Sequence, residues 1–430
     1  MLKNEIDWRE QLQSEKHIHL IGIGGMGMSG LAILLNERGM QVSGCDIESN
    51  RQTKNLQAHG IPVDSQHDIA HLERCDLLVR SSAVSLATDE VQEAIRRRIP
   101  VVQRGYVLAE LVRDRICIAV AGSHGKTSTA AILSQLLQSG FAIGGEIGDR
   151  VGLARDGKYM VTELDESDGT LTQFQPDYTI LTNVDDDHLD HHGSLAELNS
   201  CFEQLILQTK KMVFYDASDS RSVAICSGHE NCEPIVLDSD AKRIPFPGAY
   251  NQQNAAAALM VADQFIPREI SQTRLAEVKP VRRRFESLYQ NKGIEIIADY
   301  AHHPTEINAL IEATRECEYQ RILAIFQPHR YSRTYALKAE FASVLAKLDR
   351  VILVPVYPAS ERWIEGGDSK DIVSICHEKG WKHIHEHQQL DSAWQEMMTL
   401  LKQGDLLLLI GAGNIDQLRS KINKLEQINT

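Results

Sequence analysis

The feature that most restricts the folds open to this 430-residue chain is a glycine turn at residues 122–125, set between an apolar run and a helix-compatible one. Arg115-Ile-Cys-Ile-Ala-Val-Ala121 has the uninterrupted apolarity of a strand covered on both faces. It enters Gly122-Ser-His-Gly125-Lys126-Thr127-Ser128, and Thr129-Ala-Ala-Ile-Leu-Ser-Gln-Leu-Leu continues with helical character. A buried strand feeding a helix through a tight glycine turn belongs to a parallel α/β sheet.

The arrangement recurs. His17-Ile-His-Leu-Ile-Gly-Ile leads into Gly22-Ile-Gly24-Gly25-Met-Gly27 and a helix-compatible stretch at 29–37, with further short apolar runs at 75–79 and 99–102. A third start lies at Gly293-Ile-Glu-Ile-Ile-Ala298, followed by strand-like runs at 321–326, 350–354 and 405–410. The chain therefore reads as three α/β units in series, 1–113, 114–284 and 285–430, within the prior of about two to four domains for this length.

The two N-terminal glycine loops differ in chemistry. Gly22, Gly24, Gly25 and Gly27 allow close backbone approach to a diphosphate at a helix N-terminus. Asp46, at the end of the next strand-like run, could accept a ribose hydroxyl. Alone, this loop favours NAD or FAD, and a nicotinamide-dependent oxidoreductase is the competing reading. The second loop is a shortened phosphate loop, Gly122, Ser123, His124, Gly125, Lys126, Thr127, Ser128. Lys126 suits the β- and γ-phosphates of ATP, and the Thr127 hydroxyl suits Mg²⁺. Acidic and imidazole groups able to complete a magnesium site follow two strand-like runs, with Glu163 after residues 159–162 and His188 in the 182–192 segment. An oxidoreductase leaves Lys126, Thr127, Glu163 and His188 without a task. A non-catalytic nucleotide-binding regulator fits poorly with the same four residues.

A net charge of -14 opposes binding to nucleic acid or acidic lipid, so anionic substrates would need local cations such as Arg282-Arg283-Arg284, Arg330 and Arg333. No run approaches the roughly 18 apolar residues of a membrane helix, and the N-terminus is charged without a signal-peptide core, which points to the cytoplasm. The eight cysteines are scattered. Cys226-Ser-Gly-His229-Glu-Asn-Cys232 lacks a fourth ligand and reads as a surface loop rather than a zinc site.

The stretches IGIGGMGMSGLA (21–32), GSHGKTST (122–129), ELDESD (163–168), TNVDDDHLD (182–190), PGAYNQQNAAAA (247–258), DYAHHPTE (299–306), FQPHRYSRT (326–334), VYPASE (356–361) and GAGNI (411–415) resemble, in order and over almost the whole chain, the Mur ligases of peptidoglycan synthesis. Within them they are most similar to the branch that joins L-alanine to UDP-N-acetylmuramate. The resemblance implies an N-terminal Rossmann-like domain for the UDP part, a central P-loop ATPase domain and a C-terminal Rossmann-like domain for the amino acid. It implies Lys126 and Thr127 at the phosphates of Mg·ATP, Glu163 and His188 as magnesium ligands, and Asn251 and Asn254 near the adenine. It implies Tyr300, His302, Arg330 and Arg333 where the amino acid and the substrate carboxylate meet. The implied reaction forms an acyl phosphate that the amine of alanine then opens. Either His302 or His303 could serve as base or simply as a structural histidine. Tyr250 stands where the family has His, and Pro280 and Arg282 stand where it has glycines. The segment between His192 and Pro247 is short for the family. A paralogue that adds another amino acid or a peptide is the alternative within the same chemistry.

Overall fold

The structure is a computed structural model that describes residues 7–148, 150–153, 157–166, 169–185, 194–359 and 361–428. His188, expected at the magnesium site, lies outside the described residues.

Three sheets organise the chain. The first is five-stranded and parallel, in the spatial order Val63–Asp64, Gln41–Cys45, His17–Ile21, Leu77–Arg80, Val101–Gln103. Strand order reverses at His17–Ile21, and in an open α/β sheet the crevice at such a switch point takes the ligand. Gly22 follows that strand with φ +80°, a conformation open to glycine without strain, and the helix Met26–Glu37 begins just after.

The second sheet has seven strands, ordered Cys232–Pro234, Met212–Tyr215, Tyr178–Leu181, Ile116–Ala121, Tyr159–Glu163, Gly140–Ile147, Arg150–Leu153. Only the last pair is antiparallel. Cys117 to Ala121 of the central strand are fully covered, which is why that run carries no polar residue. Its exit turn leads into the helix Lys126–Leu137.

The third sheet has six strands, ordered Glu286–Asn291, Ile294–Asp299, Asp405–Ile410, Arg321–Phe326, Arg350–Leu353, Ile384–Glu386, with the first pair antiparallel. Side chains alternate across a strand, so Asp405–Ile410 sends Leu406, Leu408 and Ile410 to one core and Leu407 and Leu409 to the other. Helices Pro304–Arg315 and Tyr331–Leu345 start beyond the C-terminal ends of Ile294–Asp299 and Arg321–Phe326. The first of these has proline in its opening turn and a capping box between His303 and Glu306, which fixes where the helix begins.

The chain divides into two compact units: Met1–Pro245 with Gln253–Lys279, and Phe246–Gln252 with Pro280–Thr430. The first holds the five- and seven-stranded sheets, joined in part by Arg51 and Gln52 donating to Glu146 at 3.0 and 2.6 Å. The second holds the six-stranded sheet.

Candidate functional site

In the first unit, the loop at Gly22–Gly27 is held from two sides. The amides of Gly22 and Ile23 donate to the carbonyl of Cys45 at 2.9 and 3.2 Å, and the Gly24 amide donates to Asp46 Oδ2 at 2.8 Å. Asp46 Oδ1 accepts from the Glu48 amide at 3.0 Å. Asp46 is therefore a brace for the loop. A carboxylate has about four acceptor positions, so a ribose hydroxyl is still within its capacity. A Cβ at Gly24 would stand 2.8 Å from Asp46 Oδ2 and one at Gly27 2.7 Å from the Arg104 guanidinium, so a side chain at either would displace these neighbours. Gly25 caps the following helix with extended backbone.

The loop at Gly122–Ser128 is anchored by its neighbouring strand end. The Ser123 amide donates to the Asn183 carbonyl at 2.9 Å, the His124 amide to Asn183 Oδ1 at 2.8 Å, and Thr182 Oγ1 to the His124 carbonyl at 2.6 Å. His124 Nε2 lies 3.1 Å from Asp185 Oδ2. Gly125 (φ +81°) sits under Asn254, whose Oδ1 would be 2.8 Å from an added Cβ and which accepts from Thr129 Oγ1 at 3.1 Å. Ser128 lies in the first turn of the helix Lys126–Leu137.

Lys126 and Thr127 open that helix and turn to carboxylates. Lys126 Nζ reaches both oxygens of Glu166 at 2.9 and 2.8 Å and also donates to the carbonyls of Gly122 and Ser123. Burial alone would lower the lysine pKa, but Glu166, Asp165 and Glu163 together raise it, so the ammonium stays charged. Burial pushes Glu166 up to about 7 against the pull of Lys126. Sequence reasoning passed over Glu166. It lay inside an acidic run, and only the fold singles it out as the buried carboxylate paired with Lys126.

Thr127 Oγ1 donates to Glu163 at 3.0 and 2.9 Å, and the Gly144 amide fixes the same carboxylate at 2.6 Å. Magnesium holds oxygen ligands at about 2.0–2.1 Å in an octahedron, which places adjacent ligands roughly 2.9 Å apart. The Thr127–Glu163 spacing fits that edge, and both donors are hard oxygens, so these residues fit the group.

In the second unit, a cluster forms at the C-terminal edge of the six-stranded sheet. Asp299 accepts from the Phe285 and Ala301 amides, each at 2.8 Å, and burial raises its pKa. Tyr300 lies under two guanidiniums, Arg283 at 4.8 Å and Arg284 at 5.1 Å from its ring centre. His302 stands edge-on to Tyr300 at 5.5 Å and to His329 at 5.7 Å. Its Nδ1 is 3.0 Å from the Tyr300 carbonyl, an acceptor, so Nδ1 carries the proton and Nε2 the lone pair. Burial, with Arg333 and Arg284 nearby, brings His302 down to about 4 in spite of Glu306. Burial and the neighbouring His302, Arg333 and Arg330 bring His329 down to about 3. Both rings are neutral at pH 7.

Arg330 caps the helix Tyr331–Leu345 with φ +69°, and its amide donates to the Tyr357 carbonyl at 2.9 Å. The structure thus brings Tyr300, His302 and Arg333 together, with Arg330 alongside through His329. It adds His329, and it seats Arg283 and Arg284, which the sequence offered only as local cations, over Tyr300. His303 caps a helix: its ring accepts from the Thr305 amide. Asn251 donates to the Pro247 carbonyl at 2.6 Å, and the neighbouring Tyr250 is half-buried with its phenol pKa raised by desolvation and Asp299.

Three family descriptions match the chain: Mur ligase family, catalytic domain, over residues 17–116; Mur ligase middle domain over 120–242; and Mur ligase, glutamate ligase domain, over 283–413. Similar curated proteins include the UDP-N-acetylmuramate–L-alanine ligase of Solibacter usitatus, 34% identical over 98% of this chain and 97% of that protein. The enzyme of the same name from Carboxydothermus hydrogenoformans is 36% identical over 94% and 96%. Among solved structures, the UDP-N-acetylmuramate-alanine ligase MurC of Thermotoga maritima superposes with a TM-score of 0.82 at 26% identity, covering 96% of this chain and 100% of that one. The murein peptide ligase of Psychrobacter arcticus, at 21% identity and a TM-score of 0.69, shares the fold.

Proposed function

The chain belongs to the Mur ligase family, and from that premise we propose how its residues form an amide bond. It is an ATP-dependent ligase of peptidoglycan precursor synthesis that joins the carboxylate of UDP-N-acetylmuramate to L-alanine, with the three-domain α/β architecture of its family. The proposed division of labour follows the three sheets, over 1–113, 114–284 and 285–430. The loop at Gly22–Gly27 takes the UDP diphosphate, the loop at Gly122–Ser128 takes ATP with Asn251 and Asn254 toward the base, and Tyr300, His302, Arg330 and Arg333 receive the reacting carboxylate and amine.

The observation that carries this reading is the pair of contacts at the start of the helix Lys126–Leu137. A half-buried, charged Lys126 and a Thr127–Glu163 pair spaced for a divalent cation stand at one phosphate loop. A carboxylate attacking a γ-phosphate meets strong charge repulsion, so the catalyst must place positive charge where negative charge gathers. Lys126 supplies one such charge. Magnesium, held by Thr127 and Glu163, would neutralise the phosphate oxygens. Arg330 and Arg333 suit the carboxylate because a guanidinium pairs with it bidentately. The alanine amine must shed a proton as it attacks, and neutral His302, with its Nε2 lone pair, can take it.

The acyl-phosphate route is tested with UDP-N-acetylmuramate carrying heavy oxygen in its carboxylate. The proposal expects one labelled oxygen in the released phosphate. Label retained wholly in the amide product and the residual substrate would rule the route out.

A further inference from the structure

On the first sheet, four side chains from distant points in the sequence converge. His19, Cys45, His71 and Glu90 each offer one ligand atom, and these atoms lie within 4.8 Å of one another. His19, Cys45 and Glu90 are buried, and His71 is half-buried. His19 Nε2 is 3.5 Å from Cys45 Sγ and 3.2 Å from Glu90 Oε1, His71 Nδ1 is 3.2 Å from Glu90 Oε1, and Cys45 Sγ is 3.5 Å from Glu90 Oε2. Zinc holds nitrogen and oxygen at about 2.0–2.2 Å and thiolate sulfur at about 2.3 Å in a tetrahedron, so neighbouring ligand atoms stand roughly 3.3–3.6 Å apart. The His19–Cys45, His19–Glu90 and His71–Glu90 spacings, 3.2–3.5 Å, lie close to those edges, and the wider separations within the 4.8 Å group would close on the metal.

We propose that His19, Cys45, His71 and Glu90 form a structural zinc site behind the first glycine loop. The supporting shell is already in place. A ligating histidine uses its other ring nitrogen to bind an acceptor, which fixes tautomer and orientation. His19 Nδ1 is 2.8 Å from Ser43 Oγ, and His71 Nε2 is 3.1 Å from Asp64 Oδ2, the carboxylate–histidine–metal arrangement. His67 Nδ1, 3.1 Å from Cys45 Sγ, stands beside the group at a less buried position and offers a fifth donor during entry or exchange.

Charge supports the assignment. Metal-free, a carboxylate at Glu90 with its side chain fully covered relies on imidazole hydrogen bonds. With zinc, one thiolate and one carboxylate balance the dication, so the buried site becomes neutral. Binding releases the Cys45 thiol proton to solvent, and both imidazoles bind in their neutral forms. Because zinc takes up the thiolate, its uptake should weaken as pH falls. Four protein ligands leave no open position, which makes the site structural rather than catalytic. Its consequence runs through Cys45, whose carbonyl accepts the amides of Gly22 and Ile23, and through Asp46 next to it, which holds Gly24. The metal would set the strand end on which the first loop rests.

The test uses the untagged full-length protein. Elemental analysis after gel filtration should find about one zinc per chain. Cobalt(II) exchanged into the protein should give intense tetrahedral d–d absorption and a thiolate-to-cobalt charge-transfer band. Cys45→Ser should lose that band, whereas Cys232→Ser should keep it. Asp64 is 64% exposed in its side chain, so Asp64→Asn leaves the fold intact. It should still weaken zinc affinity by about 10–100-fold in competition with a chromophoric chelator, which keeps the test decisive if Cys45→Ser fails to fold. Absence of retained zinc together with absence of a cobalt charge-transfer band in the wild-type protein would overturn the proposal. So would a band that survives Cys45→Ser, or zinc affinity unchanged in Asp64→Asn.

Discussion

Lys126 illustrates how one residue serves both stability and chemistry. Its ammonium is fixed by a carboxylate that is 1% exposed, Glu166. Removing one member of a buried pair leaves the other uncompensated, at about 3–5 kcal/mol. Lys126→Met should therefore melt at lower temperature and lose about 10²–10³ in kcat, the usual cost of one electrostatic stabiliser. Adding Glu166→Gln should restore most of the melting temperature and none of the turnover. Calorimetry with a phosphate-release assay checks both, and recovery of turnover in the double variant would contradict the role given to Lys126. His302 carries a second prediction. Its folded pKa of about 4 lies below the ordinary 6.5, so the folded protein binds fewer protons than the unfolded chain between those values. The stability it contributes is complete above about 6.5 and lost as pH falls toward 4. Denaturant unfolding across that range should steepen with pH in the wild-type protein and flatten in His302→Phe. Equal slopes would contradict a neutral ring.

At the scale of the element, the glycine turns were legible because each sits between a run fit for a buried strand and a helix. The runs at 321–326 and 405–410 form strands with those same bounds, and the strand-like run before Asp46 is the strand Gln41–Cys45. The strand Gly140–Ile147 was not legible. Gly140, Gly144, Gly145 and Glu146 interrupt its apolar pattern, and it is its neighbours that hold it in extended form: Tyr159–Glu163 on one side, and Arg150–Leu153, with an irregular register, on the other. The turn at Gly122 gives a prediction of its own. With φ +124°, a Cβ there would stand 2.3 Å from Thr182 Oγ1 and 2.7 Å from the Asn183 carbonyl oxygen. Gly122→Ala should destabilise by about 1–3 kcal/mol through overpacking alone, and the displaced loop should bind ATP more weakly. Isothermal titration with a non-hydrolysable ATP analogue reads this, and unchanged affinity would mean that the backbone of this turn does not form the phosphate site.

At the scale of the molecule, what the sequence could not reveal is what only the sheets bring together. Lys126, Thr127 and Glu163 could be grouped in advance because a phosphate loop needs a cation and oxygen ligands, and the structure places Thr127 within hydrogen-bonding distance of Glu163 while Lys126 turns to Glu166. Arg283 and Arg284 over Tyr300 could not, since the cluster depends on the Tyr300 amide folding back to the Arg283 carbonyl. Nor could the four ligands of the zinc site. Spacing along the chain offered only Cys226 to Cys232 for weighing, and that segment read as a surface loop, whereas parallel pairing of His19 with Ser43 is what carries His19 to Cys45. Among the described residues no helix is long and apolar enough to cross a membrane.

The central claim is that this chain couples ATP cleavage to an amide bond between UDP-N-acetylmuramate and L-alanine. The direct test is phosphate release from Mg·ATP with UDP-N-acetylmuramate and alanine, glycine, serine or no amino acid, with the product identified by mass. The account predicts release that requires both substrates, fastest with alanine and accompanied by the alanine-added mass. ATP binding without turnover on any of the three amino acids would contradict it, and would place the true acceptor or amine elsewhere in the family's chemistry.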